Sequence, residues 1–291
     1  MKNIKITDVR AEKGDAAFLI DDGKTSVLYD VGFGFTGKRV AQNIKAILGE
    51  RSLDYIFLTH SHYDHALGCP SVLREYPSAK VVAGEYAAYV FTRDGAKRVM
   101  RELDGKVAAA AGVTEYEFLG DELKVDITVR DGDVIKAGDM TFEAIAMPGH
   151  TRCCIGFFER EEGLLLSTET LGSFDGESLI VPSFLTSYND TLHSIEKIEG
   201  LGVKNLLAPH YGLLDEEKTK YFLEHMKAAT EETAREITEY IQCGESDEKI
   251  VEALKSKFLR GYIKEIYPED AAKLNFSIMI NLIKKELLAK Q

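Results

Sequence analysis

No apolar run in this chain reaches the length needed to span a membrane. The amino terminus, Met1-Lys2-Asn3-Ile4-Lys5, leads into polar and charged residues instead of an apolar stretch of signal-peptide length. A cytoplasmic protein with no membrane partner is therefore expected. Cysteine is scarce: Cys69, Cys153, Cys154 and Cys243 have none of the spacings of a zinc finger. The adjacent pair Cys153-Cys154 sits in an apolar run, where neighbouring side chains point to opposite faces, so buried thiols are expected there, with a redox pair as the alternative. Basic residues are in deficit, 36 Lys and Arg against 48 Asp and Glu, for a formal net charge of −12. An acidic surface repels a phosphate backbone, so nucleic acid is not an expected partner. What remains is an ordinary globular composition, 45% hydrophobic and 29% charged over 291 residues. That is enough for one large domain, or a main domain with an appendage.

The first part of the chain reads as alternating strand and helix. Residues 17–20 are a short apolar run and 26–31 follow as a second strand after the turn signal Asp21-Asp22-Gly23-Lys24, which predicts a hairpin. Val40, Ile44, Ile47 and Leu48 recur on one helical face. Tyr55-Ile56-Phe57-Leu58 is a short, wholly apolar strand that ends at Thr59-His60, and the carboxyl end of a buried strand is where α/β proteins place their sites. A helix over 72–76, a strand over 80–83 and a helix from Glu85 to about Ala110, broken at Gly95 or Gly105, follow. From Val125 the pattern is β again, with strands over 140–146, 155–158, 163–166 and 206–208. Beyond Leu213 strong breakers are reduced to Gly244, Gly261 and Pro268. Phe222, Met226, Ala229, Thr233, Ile237 and Ile241 form a helical stripe there, Ser246 is a candidate cap for a second helix with Val251, Leu254 and Phe258 inside, and 275–289 is a third. Neither heptads nor an internal repeat appear in this region.

Chemistry concentrates in one place. His60, His62, Asp64 and His65 fall within six positions, and imidazole and carboxylate are the usual ligands of zinc, iron or manganese. On a loop leaving a strand, His60 and His62 point the same way, while Asp64 and His65 can turn to a second ion. His193 and His225 lie outside this cluster and read as surface or structural residues.

The run Thr59-His60-Ser61-His62-Tyr63-Asp64-His65 resembles the HxHxDH signature of the metallo-β-lactamase superfamily. Further matches follow in that family's order. Pro148-Gly149-His150-Thr151 resembles its PGHT turn, residues 166–171 around Glu169 resemble the segment with its bridging carboxylate, and Ala208-Pro209-His210-Tyr211-Gly212 resembles its final histidine. The resemblance covers residues 1–213 as a catalytic domain and implies an αββα sandwich of the α+β class. Residues 214–291 are then a carboxyl-terminal helical extension that covers the active site or mediates a homodimer. Carried over, His60, His62 and His150 would bind one metal, Asp64, His65 and His210 a second, and Glu169 would bridge them. Asp30 resembles an acid that orients such ligands from behind. The family usually has aspartate where this chain has Glu169, which bears on metal spacing and metal choice.

The resemblance implies two divalent ions, zinc first, with iron or manganese as alternatives. It implies a metal-dependent hydrolase that directs a metal-bound hydroxide at a small-molecule ester, thioester or phosphodiester, with Asp64 both ligating and handling the proton. The rival readings are an iron-dependent oxidoreductase of the same fold and a regulatory protein with a retained metal site. Arg152 could meet an anionic substrate group or form an ordinary surface ion pair. Phe33, Tyr63, Phe174, Phe184, Tyr188 and Tyr211, near the candidate ligands in sequence, are candidates for a pocket wall.

Overall fold

The computed structural model describes residues 4–289, which form two compact units. The first runs to Ala146 and takes in Ile155–Glu162; the second comprises Met147–Cys154 and the chain from Gly163 onward.

The first unit holds a six-stranded sheet of β1 (Lys5–Asp8), β2 (Phe18–Asp21), β3 (Ser26–Tyr29), β4 (Tyr55–Leu58), β5 (Lys80–Gly84) and β6 (Ile127–Val129), in that order. β1, β2 and β3 pair antiparallel, and β3 to β6 pair parallel. The expected hairpin forms at Asp22-Gly23, where the Asp22 carboxylate accepts from the amides of Lys24 and Thr25 at 2.8 and 2.7 Å and Gly23 takes φ +89°. The connections carry α1 (Gly37–Leu48), α2 (Tyr63–Ala66), α3 (Cys69–Glu75), α4 (Glu85–Phe91) and α5 (Asp94–Ala110). On α1, Val40, Ala41, Ile44 and Leu48 are buried, but Ile47 is exposed at the margin of the stripe. The long helix predicted after Glu85 breaks at Thr92-Arg93, not at a glycine. Thr92 Oγ1 donates to the Tyr89 carbonyl at 2.7 Å, closing α4, and Arg93 is extended. Gly95 and Gly105 both lie inside α5 with open space where a side chain would be, so neither disturbs it. The unit ends in an antiparallel ribbon of β7 (Val134–Ala137), β8 (Met140–Ala146) and β9 (Ile155–Glu159). Phe57 of β4 meets Phe142 and Phe157 of the ribbon at ring distances of 5.2 and 4.4 Å. Burial of each such ring stabilises the unit by about 1.5–3 kcal/mol.

In the second unit β10 (Leu164–Leu166) runs parallel to β13 (Asn205–Ala208), which pairs antiparallel with β14 (Gly212–Leu213). A two-residue ladder joins β11 (Ser173–Phe174) to β12 (Ile180–Val181). Strands this short carry no alternation to read in the sequence. Helix α6 (Tyr188–Glu199) starts where Ser187 Oγ accepts the Asp190 amide, 3.1 Å. The region beyond Leu213 is helical, as expected: α7 (Glu216–Gln242), α8 (Asp247–Phe258), α9 (Gly261–Ile266) and α10 (Glu269–Ile283). Ser246 caps α8 through the Lys249 amide. Phe222, Met226, Thr233 and Ile237 are buried as the stripe predicted, whereas Ala229 and Ile241 are half-buried. The third expected helix starts earlier, at Glu269, and α9 stands separate between Gly261 and Pro268. These helices share one apolar core with Val181, Phe184 and Tyr188, through residues such as Leu254, Phe258 and Phe276. Among the described residues no helix is long and apolar enough to cross a membrane.

Candidate metal centre

In the first unit the candidate ligands leave the carboxyl end of β4. The expected loop is confined to residues 59–62; the chain then turns into α2, which carries Asp64 and His65. His60 and His65 are buried, while His62 and Asp64 are partly exposed. Each of His62 and His65 offers a ligand atom within 4.8 Å of one on His60. The ring centroids of His62 and His65 lie 4.6 and 4.1 Å from that of His60.

One acid organises this half. Asp30 is fully buried and left-handed, φ +51°, and its amide donates to the Phe57 carbonyl at 2.9 Å. Its Oδ1 accepts the Thr59 amide at 2.8 Å. Its Oδ2 accepts the Thr59 hydroxyl at 2.8 Å and lies 2.8 Å from His65 Nδ1. A carboxylate only accepts, so His65 carries its proton on Nδ1. The Thr59 proton is committed to Asp30, so Thr59 Oγ1, 3.0 Å from His60 Nδ1, receives that ring's proton. Both imidazoles are thereby set with a lone pair on Nε2. Burial pushes the Asp30 carboxyl above its usual range, opposed first by His65 and then by the Thr59 bonds. Burial, with the charges of Asp64 and Asp104, likewise raises the Tyr63 phenol.

The loop after β3 is held from behind by two more buried acids. Asp15 Oδ1 accepts the Phe33 amide at 3.0 Å and the Thr36 hydroxyl at 2.8 Å, and its Oδ2 accepts the amides of Ala11 and Glu12. A side chain on Gly32 would come within 2.4 Å of Asp15 Oδ1, so only glycine fits there. Asp104 accepts the Gly34 amide at 2.8 Å and the Tyr116 hydroxyl at 2.6 Å, and burial lifts its carboxyl to about 6.

In the second unit the three candidates come from separate segments of the chain. Gly149 is at φ +139°, and a Cβ there would meet the Thr191 backbone at 2.8 Å. Its carbonyl accepts the amides of Leu185 and Thr186 at 3.0 and 2.8 Å. That places His150 beside Ser183, whose carbonyl and Oγ lie 3.0 and 2.9 Å from His150 Nδ1. A carbonyl only accepts, so His150 too carries its proton on Nδ1. Glu169 opens a tight turn over Glu169–Leu171, capped by Thr168. Thr170 Oγ1 accepts the His150 amide and donates to the Met147 carbonyl, which links the two segments. His210 follows β13 and is buried; its Nε2 stands 3.0 Å from Glu169 Oε1.

A sequence model of the metallo-β-lactamase superfamily matches residues 14–210. The chain belongs to that superfamily. It is 27% identical to a metallo-β-lactamase fold-containing protein of Sulfurisphaera tokodaii over 60% of this chain and 66% of that one. Against hydroxyacylglutathione hydrolase GloC of Haemophilus influenzae it is 25% identical over 58% of this chain and 72% of the relative. A hydroxyacylglutathione hydrolase of Francisella tularensis is 27% identical over 51% of this chain and 46% of its own length. The chain thus spans between about half and three quarters of the length of these curated relatives. Among solved structures, a metallo-β-lactamase family protein of Thermus thermophilus matches with TM-score 0.60 at 20% identity, covering 92% of this chain and 88% of that one. A β-lactamase domain protein of Burkholderia ambifaria matches with TM-score 0.64 at 13% identity, covering all of this chain and 87% of the other. The fold is the metallo-β-lactamase fold with a carboxyl-terminal helical region, as the sequence implied, and hydrolase chemistry is supported at the level of the superfamily.

Residues outside the ligand pattern behave as structure. His193 is exposed on α6, and His225 is exposed on α7 with its Nδ1 2.7 Å from the Tyr221 carbonyl. Arg152 is exposed. Cys153 and Cys154 are buried, both with Sγ near Thr151 Oγ1, and burial and the neighbouring Cys153 push the Cys154 thiol up to about 12. Of the candidate pocket aromatics, Phe33, Phe174, Phe184 and Tyr188 are buried, and Phe33 packs on Tyr63 at 5.7 Å. Two residues that the sequence did not single out reach His210: Tyr262 and Tyr267, from the far end of the chain. Nothing local marks them among the chain's 13 tyrosines.

Proposed function

We propose that the protein is a dinuclear metallohydrolase. In this reading His60, His62 and His150 hold one divalent ion, Asp64, His65 and His210 hold the other, and Glu169 lies between them. The donor set fits such ions. His60, His65 and His150 each have Nδ1 engaged by a hydrogen-bond acceptor, which leaves Nε2 as the ligating atom, the arrangement metal-binding histidines adopt. Nitrogen and carboxylate donors without thiolate suit zinc, with iron or manganese as alternatives. When bound, the ions would acidify a water molecule into a nucleophile and draw charge from the attacked carbonyl or phosphoryl oxygen.

The chain's own residues do the rest. Asp30 fixes two tautomers through one carboxylate, so His60 and His65 need no reorganisation to bind. Asp64, with its side chain 17% exposed, is reachable by solvent and would take up the proton the nucleophile loses on its carboxylate. Glu169 is longer by one methylene than the usual bridging aspartate and is held against His210. The substrate is a small ester, thioester or phosphodiester, and the hydroxyacylglutathione hydrolase relatives give reason to test a thioester first.

The observation that carries this reading is the Asp30–Thr59–His60 and Asp30–His65 network, which has no purpose in a solvated loop. Elemental analysis of the purified protein should return two divalent ions per chain. His60→Ala should lose thioester, ester or phosphodiester hydrolysis by several orders of magnitude while keeping its circular dichroism spectrum. Undiminished turnover by zinc-saturated His60→Ala would refute the assignment.

A further inference from the structure

His210 sits on an unusual piece of backbone. Its φ of +60° is a conformation that residues other than glycine seldom take. The Tyr211 amide donates to the Pro209 carbonyl at 2.7 Å, which closes a three-residue turn centred on His210. Turns of this handedness are rare and strained, and persist only where the surroundings fix them from outside.

The fixing comes from the two ends of α9. The Tyr262 hydroxyl donates to the carbonyl of His210 itself at 2.6 Å. The same ring meets Tyr211 edge-on at 5.6 Å, so it holds the turn on both sides of its central carbonyl. Tyr267, the residue after α9, sets its ring edge-on to the His210 imidazole, 5.7 Å between centroids. Its hydroxyl and Ser173 Oγ are 2.6 Å apart. Ser173 begins β11, just beyond the turn that carries Glu169, whose Oε1 faces His210 Nε2. One short helix therefore grips the backbone of His210, the ring of His210, and the segment leading from its carboxylate neighbour. Simple filling of the core would need the two rings but neither hydroxyl. A hydroxyl on the carbonyl of a strained residue restrains the peptide plane, and with it the direction in which the imidazole leaves the chain.

We infer that Tyr262 and Tyr267 are positioning residues for His210, so that the carboxyl-terminal helical region sets the affinity and geometry of the metal ion that His210 holds. This inference rests on the metal-binding reading of His210 proposed above. Their contacts are with the carbonyl and the ring of His210, so in this reading they act through the ligand.

The test compares wild type, Tyr262→Phe, Tyr267→Phe, Tyr267→Ala and His210→Ala. Zinc stoichiometry and dissociation constants are read by competition with a chromogenic chelator, and the visible spectrum is read on the cobalt-substituted proteins. Tyr262→Phe and Tyr267→Ala should each weaken one of the two ions about tenfold or more and change the cobalt bands, the usual cost of losing an outer partner of a ligand. Tyr267→Phe, which keeps its ring against His210, should weaken it by a few-fold. His210→Ala should lose that ion. Urea unfolding of the zinc-free proteins separates positioning from general stability. If the tyrosine variants lower stability while zinc affinity and cobalt spectrum match wild type, the inference is overturned. It is equally overturned if they match wild type in every measurement while His210→Ala loses an ion. A His210→Ala protein that still holds both ions would overturn the ligand assignment itself, and the positioning role with it.

Discussion

The two halves of the candidate ligand set are built on opposite plans. In the first unit, His60, His62, Asp64 and His65 fall within six positions, and a single carboxylate, Asp30, sets the tautomers of two of them. In the second, His150, Glu169 and His210 come from separate segments with several supports: Ser183 for the first, Thr168 for the turn of the second, Thr170 tying those two segments together, and the α9 tyrosines for the third. Yet both halves share one device. Asp30 and His210 are the two residues other than glycine with positive φ among the described residues. Strain of this kind costs on the order of 1–2 kcal/mol per residue, and it is tolerated where the surrounding bonds over-determine the position. Concentrated support makes the first half sensitive to one substitution. Distributed support makes the second half sensitive to many, each by less.

Asp30→Asn probes the concentrated side. Asparagine tolerates the left-handed conformation, so the backbone cost is small. Its amide nitrogen, however, would face Thr59 Oγ1 and His65 Nδ1, where a lone acceptor now serves both. Affinity for each of the two proposed ions should fall about 10- to 100-fold, compounding to about 10²–10⁴ for the pair. A zinc competition titration checks this, with kcat/KM at limiting zinc following the same trend. If Asp30→Asn retained wild-type affinity for both ions, concentration of support in one carboxylate would be the wrong description of the first half.

A second test sharpens what stands behind those ligands. Asp104 is buried between Gly34 and Tyr116, close to the charges of Asp15 and Asp64, and its carboxyl is raised to about 6. In the unfolded chain it titrates near 3.9. The folded state therefore holds this proton more tightly, and the stability that protonation contributes is full below about pH 4 and lost as pH rises through 6. About two pH units of displacement correspond to about 2–3 kcal/mol. Asp104→Asn, which keeps an acceptor for Gly34 but cannot ionise, should lack this loss. Urea unfolding of the zinc-free proteins at pH 4 and pH 8 should show wild type falling relative to the variant by that amount. Parallel pH profiles would show that Asp104 titrates as an ordinary surface acid.

Legibility of the sequence followed the same division. The first half could be read at once, because a strand of four apolar residues delivered four candidate ligands, three His and one Asp, within six positions and local spacing alone carried the signal. Residue types and family resemblance named His150, Glu169 and His210, but the supports of that half come from residues remote in sequence, and no local pattern announces them. Ser183 lies 33 residues from His150, and Tyr262 lies 52 residues from His210. The fold divides likewise. Helices with a full apolar stripe, such as α1 and α7, were foreseen, as was the cap at Ser246. The break at Thr92-Arg93 was not, because it depends on a side-chain hydroxyl capturing a carbonyl, whereas the glycines that attract attention point to open space. The ladder β11–β12 escaped because two residues per strand have no period.

The smallest expected effect tests the distributed half most directly. Ser183 supports His150 with two acceptors, its Oγ at 2.9 Å and its carbonyl at 3.0 Å from Nδ1. Ser183→Ala removes the first and leaves the second, so the Nδ1 proton keeps a partner and the tautomer is unchanged. Loss of one hydrogen bond whose donor is still satisfied costs about 1 kcal/mol or less. Zinc affinity should therefore drop by about fivefold or less, far less than for Asp30→Asn, and Tm should move by a few degrees at most. The contrast between the halves turns on this variant. Should Ser183→Ala weaken zinc as strongly as Asp30→Asn does, the backbone carbonyl carries little of the load, and the second half hangs on a single side chain as much as the first.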